Sequence, residues 1–254
     1  MRISNDLTAC VLVLNDEFFL PYVLESSKGH FGNYVIYDVG SNDKTKEIIR
    51  WFMNSNKEAT FFYREFECIP AKSIQGAFRN SMIAEAGTDY YFILDGDEIY
   101  SEDGWNRLAA HWWEVKPEPS KGKYYGVVRR YEVSADLTKR YDRIRTHHRI
   151  YHRLATFAGP HPGEWPVIEQ KPKNENDIPD VVCYHFHNAE RSTKDLDALK
   201  RADRKNKLTY RPGELIPFNL LEELPLLRKP IENFPVAPSL RKLQNEYNVQ
   251  MSLR

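Results

Sequence analysis

Two hydropathy patterns alternate along the amino-terminal part of the chain. Residues 8–14 (TACVLVL) are short, rich in β-branched side chains and continuously apolar, as expected of a strand buried on both faces. Over 18–26 the apolar residues Phe19, Leu20, Val23 and Leu24 recur instead at helical spacing. The exchange then repeats. Residues 34–37 predict a strand, Gly40-Ser41-Asn42-Asp43 a turn, and 44–54 a helix with Ile48, Ile49 and Phe52 on one face. A third strand is predicted over 60–63, a helix over 74–86 and a fourth strand over 90–94 (YYFIL), which runs into Asp95-Gly96-Asp97-Glu98. This rhythm predicts βαβ units and a mainly parallel sheet covered by helices.

The rhythm breaks after Trp105. Trp112 and Trp113 mark the predicted end of a helix, and 116–123 is a loop rich in Pro, Lys and Gly. Residues 124–133 and 149–152 predict strands of an irregular, antiparallel region, 181–187 a further strand, and 192–206 a charged helix. Beyond Tyr210 the composition shifts toward Leu, Pro and Arg, with one short helix predicted over 239–247. There is no internal repeat. The expected division is one domain over 1–207, with halves 1–104 and 105–207, followed by a C-terminal extension over 208–254.

Composition narrows the class. A chain of 254 residues with 41% hydrophobic content can bury one sizeable core. Its 36 basic and 36 acidic residues cancel, which argues against a dedicated nucleic-acid binder, and 13% aromatic content argues against disorder. A mean hydropathy of -0.62 and the lack of a long apolar run predict no transmembrane helix. Residues 1–8 carry charge early and lack the apolar stretch of a leader. Three widely spaced cysteines, Cys10, Cys68 and Cys183, suit a reducing compartment, so a cytoplasmic location is expected.

In an open parallel sheet, ligands bind beyond the carboxyl ends of the strands. Asn15, Asp16 and Glu17 follow the first predicted strand, Asp38 to Asp43 the second, and Asp95 to Glu98 the fourth. Two carboxylates flanking a glycine, as in Asp95-Gly96-Asp97, can reach one divalent cation while the backbone turns tightly. Their hard oxygens favour Mg²⁺ or Mn²⁺. Such an ion bridges nucleotide phosphates and neutralises charge on a departing diphosphate.

Four pieces occur in order between residues 13 and 98: Val13-Leu14-Asn15-Asp16-Glu17 with Leu20-Pro21, Tyr37-Asp38-Val39-Gly40-Ser41-Asn42-Asp43-Lys44-Thr45, Arg79-Asn80, and Leu94-Asp95-Gly96-Asp97-Glu98. In this order and spacing they resemble the family 2 type of nucleotide-sugar glycosyltransferases, which have the GT-A fold. The resemblance implies a Rossmann-like α/β sandwich with a nucleotide-binding half over 1–104 and an acceptor half over 105–207. It implies that Leu14, Asn15, Glu17, Asp38, Ser41 and Asp43 hold a base and its ribose. Arg79 would lie near the diphosphate, with Asp95 and Gly96 beside the nucleotide, and Asp95 and Asp97 would be the metal-binding pair. The implied enzyme is a hexosyltransferase-like glycosyltransferase using Mn²⁺ or Mg²⁺. It would move a sugar from a nucleoside diphosphate, UDP first, to a carbohydrate or other hydroxyl acceptor, with inversion. Nucleic acid is not among its expected partners, and peripheral membrane contact stays open. Plainer readings stand beside two of these roles: a surface ion pair for Arg79, and a helix N-cap for Asp43.

In the second half, Tyr184-His185-Phe186-His187 alternates, so both histidines face one side of a strand. They resemble the late histidine that adds a metal ligand in many GT-A enzymes. His187 suits that role, and spacing does not separate His185 from it. No Cys pair or HExxH spacing supports zinc. Arg149-Ile150-Tyr151 and Phe157-Ala158-Gly159-Pro160-His161 resemble the family's acceptor-side strand and loop, which often carries a His-Glu pair. Here the glutamate comes later, in His161-Pro162-Gly163-Glu164-Trp165. Inversion requires a carboxylate to deprotonate the acceptor. Glu164 is the candidate base, with Asp97 and Glu98 as alternatives, and Trp165 could stack on a sugar or simply pack. The helix around 194–207 mixes both signs of charge and reads first as a solvated face. A nucleotidyltransferase of similar sheet should carry a glycine-rich, lysine-bearing loop after strand one, which LNDEFFLP lacks. A non-catalytic sugar-nucleotide or carbohydrate-binding protein is the reading from another class.

Overall fold

The computed structural model describes residues 3–67, 75–115, 125–141, 145–158, 165–167, 176–194, 215–231 and 233–253. The amino-terminal part follows the predicted alternation: β1 (Ser4–Val13), α1 (Leu20–Ser27), β2 (Phe31–Asp38), α2 (Thr45–Ser55), β3 (Thr60–Glu65), α3 (Gln75–Ala86) and β4 (Tyr90–Ile93). Next come β5 (Glu98–Tyr100), α4 (Glu102–Val115), β6 (Tyr125–Glu132), β7 (Lys139–Tyr141), β8 (Arg145–His152), β9 (Thr156–Ala158), β10 (Trp165–Val167) and β11 (Asn176–His185). The carboxyl-terminal part holds β12 (Leu215–Pro217), α5 (Leu220–Glu223), a 3₁₀ turn over Pro225–Arg228 and α6 (Pro238–Ser252). The charged helix predicted over 192–206 lies outside the described residues from 195 onward.

Eight of these strands form one sheet in the order β3-β2-β1-β4-β8-β6-β11-β5. β3, β2, β1 and β4 are parallel, β8 enters antiparallel to both β4 and β6, and β11 is again parallel to β6. Strand alternation builds a core on each face. Leu7, Ala9, Val11, Tyr34, Ile36, Tyr90 and Phe92 face a large core with α1, α2 and α4. Cys10, Val35, Tyr37, Tyr91 and Ile93 face a smaller one with Met82 and Ile83 of α3 and Phe157 of β9. The chain is a mixed α/β sandwich, its parallel part wound on both faces.

Two consequences of this topology position the site. The chain moves outward from β1 to β3 and then returns to β4, so β1 and β4 flank a switch point whose crevice opens at their carboxyl ends. In addition, Leu94 to Asp97 alone connect β4 to β5, although three strands lie between them in the sheet. Four strand spacings need about 19 Å, whereas five Cα steps reach at most about 18 Å. The connection is also folded into a turn, with the Glu98 N–H donating to the Asp95 carbonyl (3.2 Å). The sheet therefore curls, bringing β5, β6 and β11 back toward the end of β4.

Candidate functional site

The loops after β1 and β2 are built against each other. Asn15 takes a left-handed φ of 52°. Its N–H donates to Ser41 Oγ (2.9 Å), and its side-chain oxygen accepts the Asn42 N–H (2.9 Å). Asp38 is fully buried at the end of β2, and its Oδ1 accepts the N–H groups of Gly40 (3.0 Å) and Ser41 (2.8 Å). Among the described residues its Oδ2 has no hydrogen-bond partner. A buried acceptor left without a donor is costly. Glu17 ties three segments together: Oε1 accepts from the Thr193 N–H (2.9 Å) and hydroxyl (2.6 Å), and Oε2 from the Lys44 N–H (3.1 Å). Asp43 accepts the Thr45 N–H (2.8 Å) from just ahead of α2, whose N-cap position is Lys44, and also the Ser192 hydroxyl.

The turn after β4 presses against the end of β1. A Cβ on Gly96 would lie 2.8 Å from Asp16 Oδ2 and 3.0 Å from Val13 Cγ1, so a larger residue requires Asp16 or the turn to shift. The two aspartates around it have different surroundings. Asp95 is held by arginines, with Arg149 Nη2 donating to Oδ2 (2.8 Å) and Arg79 Nη2 to Oδ1 (3.2 Å). Arg149 also binds Glu98, and both side chains are buried. Burial pushes the Asp95 and Glu98 carboxyls up, but Arg149 together with Arg79 at Asp95, and with His147 at Glu98, leaves both below the usual range.

Asp97 points the other way. Its Oδ2 accepts from Arg191 Nη1 (3.0 Å) and faces His185 Nε2 at 3.6 Å. His185 Nδ1 meets Glu132 Oε2 at 2.8 Å, and the His185 and His187 rings stack with centroids 5.3 Å apart. Ladder pairing explains the gathering, because His185 on β11 is opposite Glu98 on β5 and Glu132 on β6. Burial opposes the charged His185 ring, but the Asp97 and Glu132 carboxylates raise its pKa to about 10. Burial and the His185 charge push His187 down to about 4.

Asp97, His185 and His187 each offer one donor atom, and the three atoms lie within 4.8 Å of one another. One carboxylate with two imidazoles is a donor set for a divalent transition-metal ion. Among the described residues Asp95 is outside this group, with both oxygens occupied by arginine. Leu14, Asn15, Glu17, Asp38, Ser41, Asp43, Asp95, Gly96 and Arg79 all lie at the ends of β1, β2 and β4 or on α3 facing Asp95. Asn15, Glu17, Ser41 and Asp43 direct their polar groups largely into the protein. Glu164 lies outside the described residues, and Trp165 is in β10. Sequence reasoning gave no role to Arg149, Arg191 or Glu132. Glu132 ends a predicted strand, so the strand-end rule could have found it. Arg191 follows His187 closely, but nothing in its spacing points to Asp97.

No protein-family model matches the sequence, and no curated protein matches it. Solved structures match over part of it. S. aureus TarS superposes with a TM-score of 0.44 at 17% identity, over 62% of this chain and 30% of TarS. TarS has also been solved with UDP-GlcNAc. The mannosyltransferase PcManGT from Pyrobaculum calidifontis, in complex with GDP-Man and Mn²⁺, gives 0.47 at 14% identity over 95% of this chain and 68% of that one. A Bacillus anthracis protein described as a glucose-1-phosphate thymidylyltransferase gives 0.38 at 12% identity, over 58% and 72% of the two chains. This chain thus spans less than a third of the length of TarS. Likenesses this distant assign no chemistry, which rests on the residues at the strand ends.

Proposed function

We propose that this protein is a metal-dependent glycosyltransferase that moves a sugar from a nucleoside diphosphate, UDP first, to a hydroxyl acceptor with inversion. One observation carries the reading: a three-donor cation group, Asp97 with His185 and His187, stands at the switch-point crevice beside the ends of β1 and β2. The choice of UDP comes from the sequence resemblance, since a carboxylate does not by itself select uracil.

In this reading Asp97, His185 and His187 would hold Mn²⁺ or Mg²⁺, with His185 giving up the proton that Asp97 and Glu132 favour in the metal-free protein. The ion would supply positive charge against the departing diphosphate. Arg79, on α3 with its guanidinium at Asp95, would add a second cation on that side, as the sequence resemblance implies. The base that deprotonates the acceptor has to be a carboxylate open to solvent. Asp97 is bound by Arg191 and faces His185, and Glu98 is fully buried on Arg149, so neither is poised to take a proton. Glu164 remains the assigned base.

Release of free nucleotide from a panel of UDP-sugars and GDP-mannose, with Mn²⁺ and with a chelator, tests the proposal. The expected result is turnover of at least one donor that the chelator stops. Binding of every donor without release of nucleotide would instead favour a sugar-nucleotide-binding protein.

A further inference from the structure

The segment after β11 meets the loops that follow β1 and β4 and is fastened on both sides of Arg191. Before it, the Phe186 N–H donates to the Asp97 carbonyl (2.8 Å) and the Phe186 ring stacks on Phe19 (4.4 Å). The Arg191 carbonyl accepts the Phe18 N–H (2.9 Å), and Thr193 is held by Glu17. From this fixed backbone the guanidinium bridges the two strand ends that flank the switch point. Nη1 is 3.0 Å from Asp97 Oδ2, after β4, and 3.3 Å from Asp16 Oδ1, after β1. The side chain is still a quarter exposed.

Asp97 Oδ2 is also the oxygen that faces His185 Nε2. A carboxylate oxygen that takes a divalent ion cannot keep a guanidinium at hydrogen-bond distance without setting two like charges against each other in a poorly solvated crevice. We propose that Arg191 is a resident cation that latches Asp16 to Asp97 in the metal-free protein and is displaced from Asp97 when a divalent cation binds. The inference rests on the metal-site reading above and adds a competitor to it. Metal alone then binds weakly, because it has to break an existing charge-assisted pair. A diphosphate offers the displaced guanidinium new oxygen partners, so metal and diphosphate favour each other through this residue.

The test is Mn²⁺ affinity without nucleotide, read from the paramagnetic resonance signal of free Mn²⁺, for wild type, Arg191→Met and Arg191→Lys. Removing a positive charge within a few ångströms of the ion should tighten Mn²⁺ binding by about tenfold in Arg191→Met. Arg191→Lys keeps the charge and should stay near wild type. A folded Arg191→Met that binds Mn²⁺ no more tightly than wild type overturns the proposal. A second measurement uses only the wild-type protein. Saturating Mn²⁺ should speed phenylglyoxal modification of Arg191, followed by peptide mass spectrometry, and an unchanged rate overturns the proposal even if Arg191→Met does not fold. Wild type that binds no Mn²⁺ removes the metal-site reading and this inference together, whereas Mn²⁺ binding indifferent to Arg191 removes the inference alone.

Discussion

Asp95 and Asp97 are separated by one glycine, yet one carboxylate faces arginines and the other faces histidines. Asp97→Asn should therefore lose Mn²⁺ binding, while Asp95→Asn should keep it and lose stability. Calorimetric titration of both variants checks this, and equal loss of Mn²⁺ in the two would restore Asp95 as a ligand. Arg149 makes the structural role of Asp95 quantitative. It is 2% exposed and pairs with both Asp95 and Glu98, so Arg149→Met strands the fully buried Glu98 carboxylate, leaves the part-buried Asp95 with Arg79 alone, and should cost about 3–5 kcal/mol. The pH dependence follows from sign. A carboxyl held below its ordinary value stabilises the fold above the unfolded-chain pKa, about 4 for Asp and Glu, and that stability is lost as pH falls through the folded value. The gap between wild type and Arg149→Met in urea unfolding should thus be widest near neutrality and narrow on acidification below about pH 4. The sequence places Asp95 and Asp97 at a strand end. Their division of labour follows from β8 and β11, whose residues are distant in the chain.

At the scale of elements, the site depends on how closely β1 and β4 approach at their ends. Gly96 allows that approach, because a methyl group there would meet Asp16 Oδ2 at 2.8 Å and Val13 Cγ1 at 3.0 Å. Gly96→Ala should force the turn away from β1 at a cost of about 1–3 kcal/mol. It should also weaken Mn²⁺ binding by displacing Asp97. Thermal unfolding and Mn²⁺ titration measure the two effects, and a variant as stable as wild type would show that the turn yields freely. The predicted βαβ rhythm over residues 8–94 matches β1 to β4 closely, since each element there is signalled by its own local period. β11 differs at both ends: it starts at Asn176 rather than 181, and it ends at His185, with His187 beyond it. The two rings still stack, so the shared face survives past the strand's last residue.

At the scale of the whole molecule, the carboxyl-terminal segment is part of the main core. Leu220, Leu221, Leu224, Leu227, Val236 and Leu240 belong to the same buried cluster as β1, β2 and α1. Tyr184 donates to Glu223 (2.7 Å), and Gln244 donates to the Leu227 carbonyl (2.7 Å). Leu240→Ala should accordingly cost about 2–5 kcal/mol, whereas Leu253→Ala, at an 82% exposed position, should stay within about 0.5 kcal/mol. Denaturant midpoints of the two variants decide between an integral segment and a loosely attached extension. The shift toward Leu, Pro and Arg beyond Tyr210 marks a change of texture, and composition does not say whether the leucines cover the sheet or another surface. Among the described residues no helix is long and apolar enough to cross a membrane.

What the sequence determined by itself is what local pattern controls: the parallel β1–β4 unit, the crevice-side position of the residues after each strand, and the glycine between two aspartates. Period and turn chemistry act over a few residues, so they can be read without knowing what lies across the sheet. The tertiary structure decided which carboxylate meets which cation. Glu98, Glu132, Arg149, His185 and Arg191 converge only because the sheet curls and β11 pairs between β6 and β5. Ion pairing depends on distance in space, and no spacing along the chain encodes it.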